Sequence, residues 1–186
     1  MLTQKQKYKR ISAAFNKGLI ALVVELCKKY LHQFPDDYFA WMWYGMAKTQ
    51  LHRYDEAETA ICRAMALWQK PGLQVALRQM GDLFKAKGDF EKAEYWYRRA
   101  SRHKPGSTVD HIFAGDVAFQ DGRLKLAELN YRRAIKCSTG PIEEAYFNLG
   151  GVLVAKRRYQ EAIKCYRKAL MIDPKYRIAA KRLKDA

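Results

Sequence analysis

Apolar residues return along this chain at helical spacing, and no segment alternates as a strand would. Trp41 and Tyr44, Leu77 and Met80, and Tyr146 and Leu149 stand three residues apart, the separation that places side chains on one face of a helix. Tyr97, Tyr131 and Tyr166 occupy matching places in a second set of helical segments. Gly88-Asp89 and Asp121-Gly122 supply turn chemistry between the segments, and Pro35, Pro71, Pro105, Pro141 and Pro174 punctuate their ends. The pattern predicts helix pairs joined by tight turns, about five of them, with no sheet.

The pairs repeat. Ala57, Ala93, Ala127 and Ala162 are 36, 34 and 35 residues apart. A glycine stands twelve residues before each (Gly45, Gly81, Gly115, Gly150) and a second alanine seven residues after (Ala64, Ala100, Ala134, Ala169). Antiparallel helices approach to about 8–10 Å only where the facing side chains are small, so glycine and alanine recur at the crossings and large residues fill the gaps. On these residues the chain resembles the tetratricopeptide-repeat family, whose 34-residue helix-turn-helix unit carries this arrangement. The resemblance implies an all-α, right-handed superhelical solenoid forming a single domain over 1–186. Its repeats are 38–71, 74–107, 108–141 and 143–176. A degenerate first repeat at 4–37 keeps Gly18 and Pro35 but has Ile11 and Val23 where small residues are expected. Residues 177–186 are expected to form a helix that covers the end of the stack.

In the family, the first helix of each pair lines a concave face that binds other proteins. Carried onto this chain, the face presents Phe39, Met42, Met46, Ile112, Phe119 and Phe147, with Arg78, Asp82, Lys85 and Asp116 as a polar rim. Large apolar residues with a polar border are the mark of a binding surface. The family's carboxylate clamp, built from Lys, Asn, Asn, Lys and Arg, is not matched by any three successive units: the last three, for example, read Arg78, Asp82, Phe113, Glu144 and Asn148. The expectation is a non-enzymatic module that holds an apolar or amphipathic segment of a protein or peptide partner, as chaperone, assembly factor or scaffold.

Charge adds a second reading. The formal net charge is +16, and basic pairs recur late in the second helices at Arg98-Arg99, Arg132-Arg133 and Arg167-Lys168. Cations near helix C-termini are welcome to the helix dipole, but such a face also attracts polyanions. A nucleic-acid-associated repeat protein using this face is therefore the alternative, secondary because no exposed aromatic platform is evident between the pairs. A regulatory arm of a larger enzyme is the third reading. No catalytic, cofactor or metal site is expected. His32, His52, His103 and His111 lie in different units, and Cys27, Cys62, Cys137 and Cys165 lack metal-ligand or disulfide spacing and read as reduced thiols of a cytoplasmic chain. The longest apolar run, from Leu19 to Leu26, is broken by Glu25 and is far short of the roughly 20 residues that span a bilayer.

Overall fold

A computed structural model describes residues 3–68, 73–103 and 107–185, and within them the protein is all helical. The helices are α1 (Gln4–Asn16), α2 (Ile20–Gln33), α3 (Tyr38–Gln50), α4 (Tyr54–Leu67), α5 (Leu73–Ala86), α6 (Phe90–His103), α7 (Thr108–Gln120), α8 (Leu124–Ile135), α9 (Ile142–Ala155), α10 (Tyr159–Ile172) and α11 (Arg177–Lys184). No strand occurs among the described residues. Pro71, Pro105 and Ala186 lie outside the described residues. The chain forms two compact units, residues 1–89 and 90–186.

One turn geometry closes every pair. Gly18, Gly88 and Gly122 have positive φ, and so do His52 and Arg157, the equivalent residues of the other two pairs. A left-handed residue there lets the chain reverse while the next N–H closes the end of the first helix. That bond is present five times: Leu19 to Ala14 (3.0 Å), Arg53 to Lys48 (2.9 Å), Asp89 to Phe84 (2.9 Å), Arg123 to Ala118 (2.8 Å) and Arg158 to Leu153 (2.8 Å). The segment with degenerate sequence thus makes the same turn as the others, and its Ile11 and Val23 are buried where smaller residues stand elsewhere.

Within each unit, neighbouring helices pack in chain order, and first helices also touch: α3 meets α1 and α5, and α7 meets α9. The small residues stand where helices cross. A Cβ on Gly45 would lie 2.7 Å from Ile61, a Cβ on Gly115 would lie 2.6 Å from the Tyr131 ring, and one on Gly150 would collide with Tyr166. In the second unit Ile112, Tyr131, Leu149, Val152, Leu153 and Tyr166 fill the centre. Leu183 of α11 packs against that cluster, and Ala179 of the same helix is buried.

Candidate interaction surfaces

The packing of first helices on one another decides which expected surface residues are free. Phe39 and Phe119 are 43% and 41% exposed. Met42 and Ile112 are not surface residues: at 5% and 1% exposure they are core. Ile112 belongs to the core cluster filled from α8, α9 and α10, and the burial of both is a consequence of helix packing that repeat spacing alone does not reveal. Met46 is half-buried, as are Arg78, Asp82 and Lys85. Phe147 is half-buried too, its ring centroid 5.7 Å from that of Tyr166 and 5.3 Å from that of Tyr176. Val75 and Val154, at 43% and 37%, are the other large apolar side chains left open on first helices among the described residues.

In the first unit the open residues merge into an aromatic cluster. Phe39 stacks on Tyr38, Tyr8 and Trp68 at centroid separations of 4.1, 5.7 and 5.9 Å. Asp37 ties the cluster to the backbone. Its side chain caps α3 by accepting from the Ala40 N–H at 3.0 Å, and it accepts from the Tyr30 hydroxyl at 3.1 Å and from the Tyr8 hydroxyl. Nearby, the buried Lys48 ammonium lies 2.9 Å from Glu56 and 5.1 Å from the Tyr44 ring centroid, which compensates the cost of burying its charge.

In the second unit the first-helix face is acidic. Asp116 accepts from the Tyr131 hydroxyl at 2.7 Å and from the Asn148 amide at 3.3 Å. Burial pushes the Glu144 carboxyl up, and Asp116 and Glu143 push it further. Burial, with Asp116 beside it, likewise raises the Tyr131 phenol. Gly151, three residues before Val154 on the same face of α9, has open space where a side chain would stand.

The second-helix side holds features that the sequence reading missed. Glu94 lies 2.7 Å from Arg123, and Glu128 lies 3.0 Å from Arg158, the same bridge in successive repeats. Glu128 also receives Lys156 at 2.6 Å and Arg132 at 2.8 Å. Burial raises the Glu128 carboxyl, but hydrogen bonds from Lys156, Arg132 and Arg158 outweigh it and hold the group down at about 2. The recurrence of Glu94 and Glu128, and of Arg123 and Arg158, at the repeat spacing was the available signal. An exposed aromatic platform, expected to be absent, is present on α6. Tyr95 is 55% exposed, its ring lies 5.4 Å from that of Trp96, and the Arg99 guanidinium sits 4.9 Å from the Trp96 centroid.

Comparison with known proteins agrees with this architecture. Profiles described as tetratricopeptide repeat match residues 143–176 and 38–106. A tetratricopeptide repeat-containing protein of Caenorhabditis elegans, trd-1, is 30% identical over 94 residues, which are 50% of this chain and 11% of that protein. This chain therefore corresponds to a small part of that relative's length. Among solved structures, YrrB, described as a tetratricopeptide-repeat protein with an unusual peptide-binding site, superposes with a TM-score of 0.66 at 16% identity, over 96% of this chain and 91% of its own. MamA from Desulfovibrio magneticus superposes with a TM-score of 0.71 at 15% identity, over 92% and 96%. At such identities the likeness shows the fold alone. No helix among the described residues is long and apolar enough to cross a membrane. The fold is in general a non-catalytic protein–protein interaction scaffold. Repeat spacing, the fivefold turn and the matched profiles agree, and the chain belongs to the tetratricopeptide-repeat family.

Proposed function

We propose that the protein is an interaction module whose first-helix face in the second unit holds an apolar or amphipathic segment of a protein partner, and that residues 1–186 act as one domain in doing so. One observation carries the reading: Phe119 and Val154 stay exposed on first helices that pack on one another, and Gly151, one turn before Val154, leaves open space on the same face of α9. Phe39 in the first unit is open to a similar degree but already stacks on three rings, so it has less to gain from a partner. Asp116 and Glu144 supply the polar border. A cation on the partner would relieve the crowding of the raised Glu144 carboxyl, so an apolar segment carrying Lys or Arg fits best. That peptide binding occurs in YrrB supports the choice of a peptide-like ligand. Chaperone, assembly and scaffold roles all use such a surface.

The test is site-specific photo-crosslinking in the native cell. A benzoylphenylalanine at position 119 or 154 is expected to capture one partner segment, and the same group at exposed Lys164 on α10 is expected not to. Phe119→Ser should then weaken binding of that segment about tenfold or more, because full burial of such a side chain is worth on the order of 1.5–3 kcal/mol. Cross-links confined to position 164, or a Phe119→Ser chain that binds normally, would place the partner elsewhere.

A further inference from the structure

The second-helix face of the second unit is built differently from its first-helix face, and it answers to a different chemistry. The second half of α10, the last turn of α6, and the last turn and C-cap of α8 carry Arg102, Arg133, Lys136, Arg167 and Lys168, all exposed and with no carboxylate partner among the described residues. The acidic residues of these helices lie nearer their starts, and two of them, Glu94 and Glu128, are engaged by Arg123, Lys156 and Arg158. Arg133 and Lys168 share one repeat position with Arg99, and Arg102 and Lys136 share another, so the cations line up from helix to helix. Two further features lie among them. On α6, exposed Tyr95 and half-buried Trp96 stand edge to face, and the Arg99 guanidinium lies over both rings, 5.7 and 4.9 Å from their centroids. Between α8, α9 and α10 runs an open trough of about 500 Å³, with Leu129, Ile135, Tyr146 and Cys165 in its lining and Arg133 and Lys136 among its walls.

We propose that this face binds single-stranded nucleic acid, with the arginines and lysines on the phosphates, Tyr95 and Trp96 as a stacking platform for bases, and the trough as a seat for a splayed base. Arginine predominates, and its planar fork matches phosphate oxygens two at a time. Bases stack on aromatic side chains without regard to sequence. A strand can follow a stepped, troughed surface, whereas a bilayer presents a flat one. An acidic peptide would use the cations but brings a ring only where its sequence holds an aromatic residue, whereas every nucleotide brings a base.

The experiment measures anisotropy of a fluorescein-labelled oligouridylate of about 20 nucleotides on the full chain, with polyphosphate as a polyanion that lacks bases and phosphatidylserine vesicles as competitor. If about six phosphates are engaged, affinity should fall about 300-fold between 50 and 200 mM salt. Arg133→Glu with Lys168→Glu should lose at least about tenfold, while Lys9→Glu with Lys29→Glu, the same charge change in the first unit, should lose less than about twofold. Tyr95→Ala should weaken the oligonucleotide about fivefold or more and leave polyphosphate unchanged. Circular dichroism confirms that each variant is folded, and Tyr95 is exposed enough to be replaced without loss of core. Equal losses for both charge pairs would reduce the effect to net charge and overturn the proposal. So would a Tyr95→Ala chain with unaltered oligonucleotide affinity, or vesicles that displace the strand at lower phosphate concentration.

Discussion

The two units are built on one repeat but are held together by different chemistry. In the first, contacts between pairs rest on rings: Tyr8, Tyr30, Phe34, Phe39 and Trp68 form a continuous cluster, and Asp37 gathers two phenols at its edge. In the second, ring–ring contacts are fewer among the described residues and charge takes over. Glu94 and Glu128 each reach the arginine of the next turn, and Asp116 joins α7 to α8 and α9. The first unit does not repeat this bridge: Arg53 stands at the same turn position but pairs with Glu56, since α2 has Val24 where the glutamate would be, and at the next turn Asp89 replaces the arginine and Glu58 is served by Lys87 at 3.6 Å. Stacked repeats need only a favourable neighbour interface, so either solution serves. The choice has a functional side. Aromatic packing uses up the side chains that a partner would otherwise meet, as Phe39 shows, while ionic packing leaves Phe119 open.

The comparison breaks most sharply at the glycines. Gly115→Ala should destabilise the second unit by about 2–3 kcal/mol, since the added methyl meets a Tyr131 ring that cannot swing away without losing Asp116. Hydrogen exchange should show lost protection in α7 and α8 with the first unit unaffected. A variant as stable as the parent would mean that the ring has room to move.

Next in size is Glu128→Gln, expected to cost about 2 kcal/mol, less than the 3–5 of a fully buried pair because Lys156 and Arg158 keep some contact with water. Acid should mimic it. A carboxyl held low in the folded state contributes stability above its ordinary value of 4.5, and that contribution is lost as pH falls toward about 2. Protection of α8 to α10 should therefore decline over that window in the parent, and less so in Glu128→Gln. Equal acid sensitivity in both chains would assign the acid response to other carboxylates.

The helices, their pairing and the small-residue crossings were legible in the sequence because each depends on spacing within about 34 residues. Burial on the first helices was less so. Met42 and Phe119 are both large apolar residues at places where a partner was expected, yet one is core and the other open. The difference is one of packing between helices, which spacing within one repeat does not specify. Basic pairs were visible as composition, but the Tyr95–Trp96 platform beside them was not, because helical spacing says which face a ring occupies and not whether anything covers it. The fivefold left-handed turn was half legible: three glycines announced it, and His52 and Arg157 concealed it.

Those two residues give the smallest expected effect and the finest comparison between units. Holding a residue with a Cβ in the left-handed region costs roughly 1–2 kcal/mol. Glycine removes that cost but adds chain entropy to the unfolded state, about 0.5–1 kcal/mol in opposition. At Arg157 in the second unit, an exposed side chain with no partner among the described residues, the balance favours glycine. Arg157→Gly should raise stability by about 0.5–1 kcal/mol. His52 in the first unit differs. Its Nδ1 lies 2.8 Å from the Tyr54 hydroxyl, which in turn donates to the Ala86 carbonyl at 2.9 Å, so the side chain helps fasten one pair to the next. His52→Gly gives up that contact, and its net effect should be close to zero. Urea unfolding of the two variants in parallel measures the difference directly, since the backbone term is common to both. A larger gain at His52 than at Arg157 would show that the His52–Tyr54–Ala86 chain contributes nothing in solution, and that the turn residue is set by backbone conformation alone.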